Sequence, residues 1–472
     1  MVSTEEFIKE YVKAISEGYA AVFAGAGLSS GSGYANWREL VRPFAEEIKL
    51  NVDIENDLVS IVQYYSNEHG NRASINQKIL NEFTNDAKHN ENIEILTRLP
   101  IQTYWTTNYD ELLEESLKHN NRKIDIKITQ NSLGTNIYDR DAIVYKMHGD
   151  IRSPSEAVII KDDYEIFENK RPLFRTALQG DLISKTFLFI GFSFEDPNLD
   201  FILRRIRLLL GESVRDHYCF FVKPEKIEGD DDSNYAYKLA KQELRVKDLK
   251  RYGIQAIILN NYSNITDVLK KIEDKYLLRN IFISGSIAKY NDPWDVKSVN
   301  SFIYKLAKQL VVKDFRIISG FGYGVGSTVL NGALDEIFSS KYKHIDEYLS
   351  LRPFPRDSSE DKLTNRNWEK YREEMVSQAG VVIFIFGNKV INNNEVIADG
   401  MIEEFRIAKE KGKYVIPVGS TGGAALEIMN IVKHNIDTYT YLKDYLDKLE
   451  KDTNGDNLVR IINEIVIKIK NQ

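Results

Sequence analysis

Cysteine is nearly absent: Cys219 is the only one in 472 residues. A single thiol excludes a disulfide framework and any thiolate zinc site built from this chain alone. Dense basic clusters are missing too. With 63 basic against 70 acidic residues and a net charge of −7, the chain offers no electrostatic footprint for nucleic acid, and none is expected as a partner. No apolar run approaches the roughly 20 residues needed to span a bilayer. The opening Met1-Val2-Ser3-Thr4-Glu5-Glu6 is acidic where an export signal would be basic. A soluble cytoplasmic protein without membrane contact is expected. Short-period repeats and low-complexity segments are also lacking.

At about 150 residues per domain, the length allows two or three domains. Short continuous apolar runs alternate with helical patterns: Ala20–Ala24, a helical stretch from Trp37 to Ile48, then Gln102–Thr106, Ala142–Lys146, Thr186–Ser193, His217–Val222 and Gln255–Leu259. Such alternation predicts a mostly parallel, two-sided sheet. Near Leu277-Leu278-Arg279-Asn280 the pattern restarts, with strand candidates at Ile281–Ser286, Phe315–Ser319, Tyr348–Arg352, Gly380–Phe386 and Lys413–Val418. We therefore expect an α/β chain of two Rossmann-like domains, 1–277 and 280–472, each a mostly parallel sheet flanked by helices. The acidic stretch Glu228-Gly229-Asp230-Asp231-Asp232-Ser233 reads as a solvated loop inside the first domain.

Two short segments carry the chemistry. Asn108 in Thr106-Thr107-Asn108-Tyr109-Asp110 and His148 in Lys146-Met147-His148-Gly149-Asp150 each follow a strand candidate, which places them where open α/β sheets bind ligands. A third segment, Phe23-Ala24-Gly25-Ala26-Gly27-Leu28-Ser29, allows close backbone approach and offers N–H groups to an anion. It is not the full dinucleotide fingerprint, because Ser30 stands where a third glycine belongs and no acidic residue clearly ends a second strand. Hydride transfer is disfavoured; nucleotide binding is not. An imidazole titrating near 6.5 accepts a proton at neutral pH, and a neutral amide orients a water without placing charge beside a cation. His217, alternating with Cys219 along a strand, reads as packing, and Lys161-Asp162-Asp163-Tyr164 reads as a turn and helix start rather than a metal site.

In the second domain Ser284-Gly285-Ser286 follows the first strand, and Ser319-Gly320-Phe321-Gly322-Tyr323-Gly324-Val325-Gly326-Ser327 follows the second and opens a helix. Gly285, Ser286, Gly322 and Gly324 are read as a phosphate cradle. Arg352, Arg372 and Lys389 are its basic partners, and Glu404 is an acceptor for ribose hydroxyls.

In order and spacing, the glycine segment, Ser32-Gly33-Tyr34, Trp37-Arg38, Thr107-Asn108-Tyr109-Asp110, His148-Gly149 and Gly191-Phe192-Ser193 resemble the sirtuin family. The resemblance implies that Gly25, Ala26, Gly27 and Ser29 cradle dinucleotide phosphates, that Asn108 and Asp110 hold the nicotinamide ribose and a water, that His148 is the general base, and that Gly191 and Ser193 line the adenosine side. The four-cysteine zinc module of protein-deacylating sirtuins is impossible here, whereas cleavage of NAD+ by water or by its own ribose hydroxyl needs neither that module nor a groove for acyl-lysine, and no metal is expected. The second domain resembles the SLOG group of nucleotide-sensing domains. Its Gly419-Ser420-Thr421-Gly422-Gly423-Ala424-Ala425-Leu426-Glu427 departs from the Pro-Gly-Gly-x-Gly-Thr-x-x-Glu loop of the catalytic relatives.

The two domains in this order resemble the Thoeris effectors of bacterial anti-phage defence. Further stretches in support are Leu58-Val59-Ser60-Ile61, Ala157–Glu165, Phe192–Asn198 and Arg352-Pro353-Phe354-Pro355. That resemblance implies an NAD+ glycohydrolase releasing nicotinamide and ADP-ribose. It implies activation by a cyclic ADP-ribose isomer that a TIR-domain partner (ThsB) makes and that Arg372, Lys389 and Glu404 contact. It also implies homotetramers able to stack into filaments. The competing readings are a non-catalytic nucleotide-binding scaffold and an NAD-dependent protein deacylase.

Overall fold

The computed structural model describes residues 2–55, 57–84, 86–194, 196–211, 214–226, 232–354 and 362–471. Glu195, Pro355 and residues 228–231 of the acidic stretch lie outside the described residues. The chain divides into two compact units, Met1–Glu273 and Asp274–Gln472. Among the described residues, no helix is long and apolar enough to cross a membrane.

The first unit holds seven strands: β1 (Ala20–Ala24), β2 (Thr103–Thr106), β3 (Ile124–Lys127), β4 (Ala142–Lys146), β5 (Thr186–Ile190), β6 (His217–Val222) and β7 (Ile254–Leu259). They form one sheet in the order β3-β4-β2-β1-β5-β6-β7, with every pairing parallel. β1, β2 and β5 are buried at every position, as strands covered on both faces must be. Phe23, Trp105, Phe187 and Phe189 form the centre of one core with Phe174 and Leu178 of the helix Pro172–Ser184.

A second core lies in the helical segment between β1 and β2. Leu40, Val41 and Phe44 on helix Trp37–Glu47, started by an Asn36–Glu39 capping box, pack with Ile61, Val62 and Tyr65 on helix Leu58–His69. Tyr109 is buried in the same cluster, so this helical layer holds down the segment that carries Asn108.

The second unit has β8 (Asn280–Ser286), β9 (Arg316–Ser319), β10 (Leu349–Leu351), β11 (Val381–Phe386) and β14 (Tyr414–Val418), with a hairpin of β12 (Asn388–Ile391) and β13 (Asn394–Ile397) between the last two. The sheet order is β10-β9-β8-β11-β14, all parallel. Both units are thus parallel-sheet α/β folds. β3 and the hairpin were not expected, and β5 stops at Ile190 instead of running to Ser193, because Gly191 turns out of the strand at φ +64°.

Candidate functional site

Four neighbouring strands of the first unit end at the candidate residues. β4, β2, β1 and β5 lie side by side, with Lys146 opposite Thr106, Thr106 opposite Ala24, and Ala24 opposite Ile190. His148, Asn108, Gly25 and Gly191 therefore follow their strands at one level of the sheet's C-terminal edge. The chain leaves β1 toward β2 on one side and later returns to β5 on the other. That makes this the topological switch point where parallel sheets open a ligand crevice.

Asn108 is fixed on three sides. Its backbone N–H donates to Thr106 Oγ1 at 2.9 Å, and its side-chain Nδ2 donates to Gly25 O at 3.1 Å and to Ser29 Oγ at 2.9 Å. Ser29 Oγ in turn donates to Asp110 Oδ2 at 2.7 Å. The amide oxygen of Asn108 is buried and meets no hydrogen-bond partner, so it is the atom left to accept from a ligand hydroxyl or water. Asp110 is 5% exposed. Burial raises its carboxyl pKa, against the Ser29 hydroxyl and the Lys146 ammonium, which lower it.

The glycines are used first for packing. Gly25 N–H donates to Ile190 O and Gly27 N–H to Gly191 O, both at 2.9 Å. A Cβ on Gly191 would lie 2.1 Å from Leu28 N, and one on Gly25 would lie 2.4 Å from Gly191 O. The turns after β1 and β5 thus touch through bare backbone, with Gly25, Gly27 and Leu28 against Gly191 and two amides already spent. Ser193 is exposed and its carbonyl accepts from Arg245 at 2.6 Å.

His148 is 3% exposed. Tyr164 and Phe167 present their edges to its ring at centroid distances of 5.5 and 6.1 Å. Nε2 lies 3.2 Å from Asp196 Oδ2 but off the hydrogen-bond line, so the contact is an ion-pair distance without a formed bond. Burial lowers the imidazole pKa, Asp196 and Asp163 raise it, and Arg171 lowers it. The net direction is downward, so the ring is neutral and able to accept a proton at pH 7.

Two features were not read from the sequence. Lys146, fully buried, donates to the carbonyls of Tyr109 and Asp110 and lies 3.0 Å from Glu114 Oε1 and 2.6 Å from Asp150 Oδ2. It ties the Asn108 segment to the His148 segment. Asp196 caps helix Pro197–Leu210, its Oδ1 accepting from Leu199 N at 2.9 Å. The Asp-Pro pair is the signal that would have marked a cap followed by a first helical residue. Among the described residues no group of three or more His, Cys, Asp or Glu has a metal-binding arrangement.

In the second unit, Ser284 Oγ donates to Glu404 Oε2 at 2.6 Å, and Arg372 Nε stands 3.8 Å from Glu404 Oε1. Burial pushes Glu404 up to about 7, despite the Ser284 hydroxyl and the Arg372 cation, which lower it. Lys389 pairs with Asp399 at 2.6 Å, and the Asp399 carboxylate also takes the Gly400 N–H. The Arg372 guanidinium lies over the Phe354 ring at 5.0 Å and reaches to Gly400. Gly285 and Gly322 are in direct backbone contact, since a Cβ on Gly322 would fall 2.0 Å from Gly285 O. Ser286 donates to Asn388 O, and Gly324 takes φ +71°. Seven of the eight candidates thus gather around the ends of β8, β9 and β11. Arg352 does not join them: it is exposed, and its guanidinium extends to Gln378 Oε1 at 3.5 Å.

Residues 102–257 match the SIR2-like domain, and residues 264–469 match the Sir2- and TIR-associating SLOG family. The NAD(+) hydrolase ThsA of Bacillus cereus (strain MSX-D12) is 48% identical over 436 residues, covering 92% of this chain and 90% of that protein. The chain belongs to the ThsA family. ThsA of Cytobacillus dafuensis is 45% identical, covering 92% of this chain and 89% of its own, and ThsA of Acinetobacter baumannii (strain 532279) is 40% identical over 98% of both. The similarity to ThsA spans both units, so the pairing of a SIR2-like domain with a SLOG domain is a property of the family as well as of this chain.

Proposed function

We propose that the first unit hydrolyses NAD+ to nicotinamide and ADP-ribose, and that a cyclic ADP-ribose isomer bound by the second unit switches this activity on as part of anti-phage defence. The observation that carries the proposal is the placement of Asn108 and His148 at one level on adjacent parallel strands, with Asn108 Oδ1 buried and unpartnered. NAD+ already carries a cationic leaving group, so the protein's task is to hold the oxocarbenium-like state and deliver water. Asn108 orients the water and the ribose, and His148 takes the water's proton. Gly25, Ala26, Gly27 and Ser29 line the diphosphate path, Asp110 supports Asn108 through Ser29, and Gly191 with Ser193 borders the adenosine.

In the second unit Arg372 and Lys389 supply charge to a pyrophosphate, and Glu404 faces its ribose. Cleavage becomes regulated if that ligand binds one arrangement of the protein more tightly than another. A 100-fold preference is worth about 2.7 kcal/mol. A TIR-domain protein is the proposed source of the activator, and the working assembly is a homotetramer able to stack into filaments. The test measures nicotinamide release with and without cyclic ADP-ribose isomers. Activated wild type should release nicotinamide, Asn108→Ala and His148→Ala should not, and Arg372→Ala should lose activation while keeping its fold. Binding of NAD+ without turnover would favour a scaffold, and turnover only with an acetyl-lysine peptide would favour a deacylase.

A further inference from the structure

His148 is a buried base with one charged neighbour whose position serves no packing need. Asp196 uses Oδ1 to cap the helix Pro197–Leu210, and a cap needs one oxygen only. Its second oxygen is turned to His148 Nε2 at 3.2 Å, with both side chains less than a tenth exposed. The cap fixes this carboxyl at a helix N-terminus, which favours negative charge, and holds it beside the ring. The other groups facing the imidazole are the Tyr164 and Phe167 rings, Asp163 on the helix Lys161–Glu165, and Arg171 before the helix Pro172–Ser184. Arg171 opposes an imidazolium, and burial opposes it further.

We infer that Asp196 is a positioning residue for NAD+ hydrolysis, its carboxylate held 3.2 Å from His148 Nε2 to stabilise the imidazolium that forms during the reaction. This rests on the hydrolytic reading given above. In the step, the water oxygen bonds to the anomeric carbon while the bond to nicotinamide breaks and its electron pair leaves with the now neutral nicotinamide. One water proton passes to the neutral imidazole of His148 and returns to solvent afterwards. Without Asp196 the developing cation would sit in a desolvated pocket beside Arg171, and its formation would be opposed.

The experiment compares full-length wild type, Asp196→Asn and His148→Ala, assayed for nicotinamide release across pH with the most activating cyclic ADP-ribose isomer. Asparagine keeps the helix cap and removes only the charge. Expected for Asp196→Asn is a loss of tenfold or more in kcat, on the order of part of a general-base contribution. KM should be unchanged, and the acidic limb of the pH profile should move down by at least about one unit. Asp196→Ser, also a cap former, should show the same shift with a melting temperature close to wild type. An active wild type with an unshifted acidic limb in both variants overturns the inference, whether or not their kcat falls. A wild type that releases no nicotinamide overturns the hydrolytic reading instead.

Discussion

Lys146 is the group whose removal tests the construction of the site most directly. Its ammonium is fully buried among Glu114, Asp150 and the carbonyls of Tyr109 and Asp110. Lys146→Met matches the side chain in length and leaves two acidic residues, each 1% exposed, Glu114 without the ammonium it faces and Asp150 with Arg152 alone. Breaking a buried pair from one side costs about 3–5 kcal/mol. At about 2–4 °C per kcal/mol for a unit of this size, the first unit should melt roughly 6–20 °C lower at pH 8.

The pH dependence distinguishes this account from simple misfit. In wild type, burial raises the Asp150 pKa, Lys146 and then Arg152 lower it, and the net direction is down. Asp150 thus adds stability above its unfolded pKa that is lost as pH falls through its folded one. In Lys146→Met the lowering by Lys146 is gone from both carboxyls while burial still raises them; Asp150 keeps its bonds from Arg152, so Glu114, already raised by burial in wild type, is the one pushed further up. Stability then falls as pH rises above about 4. Thermal unfolding followed at pH 5.5 and pH 8 should show a markedly larger deficit at pH 8, and Glu114→Gln with Asp150→Asn on the Lys146→Met background should narrow it. An equal deficit at both pH values would refute the charge argument.

Other outcomes follow from the same geometry. Glu404, pushed up to about 7 by burial, binds a proton in the folded state that the unfolded chain has released, so its contribution is present below about 4.5 and lost as pH climbs toward 7. That is worth roughly 3 kcal/mol, and Glu404→Gln should flatten the pH 5–7 fall in the melting temperature of the second unit. Gly191→Ala places a Cβ 2.1 Å from Leu28 N at a positive φ. It should destabilise the first unit by more than about 2 kcal/mol in chemical unfolding, while Gly18→Ala, at positive φ but with nothing within 4 Å, should lose less. His148 is 3% exposed, so little of its ring is open to a reagent. Diethyl pyrocarbonate labelling of His148, read by peptide mass spectrometry, should therefore accelerate on activation while labelling of exposed His89 stays constant; equal His148 rates would refute a closed resting site.

Much of this arrangement could be read from residues alone. Ala20–Ala24 was legible as a strand because buried parallel strands are apolar along their whole length, and Ala142–Lys146 and His217–Val222 were legible as short, largely apolar runs. His217 is buried in β6 as packing, its Nδ1 accepting from Phe187 N at 3.2 Å. β3 escaped because Ile124-Asp125-Ile126-Lys127 carries two charges, which meet each other as a buried pair at 2.9 Å. Lys146 escaped for a similar reason: a lysine at a strand end reads as the exit to solvent. Yet the alternation of β4, buried at Ala142, Val144 and Lys146, places it on the inward face. Asp196 lay within a familiar run, but only the fold brings it to His148, 48 positions earlier in the chain. The glycines were legible as tight positions, not as the β1–β5 contact that uses two of their amides.

Unpartnered polar atoms alone would not have located the candidate sites. Arg316 Nε and Asn463 Oδ1 also lack hydrogen-bond partners, one at the N-terminal start of β9 and the other on the helix Gly455–Lys470. What sets Asn108 Oδ1, His148 Nε2 and Arg372 Nε apart is convergence. The first two stand over the C-terminal ends of adjacent strands, and Arg372 stands over the carboxylate that Ser284, near the end of β8, holds by a hydrogen bond. Leaving a buried polar atom unsatisfied costs about 1–3 kcal/mol, an expense that a ligand able to complete the bond returns as affinity. Lys146 is the counter-case: four oxygens surround its ammonium, nothing remains for a ligand, and its role is to hold the Asn108 and His148 segments together.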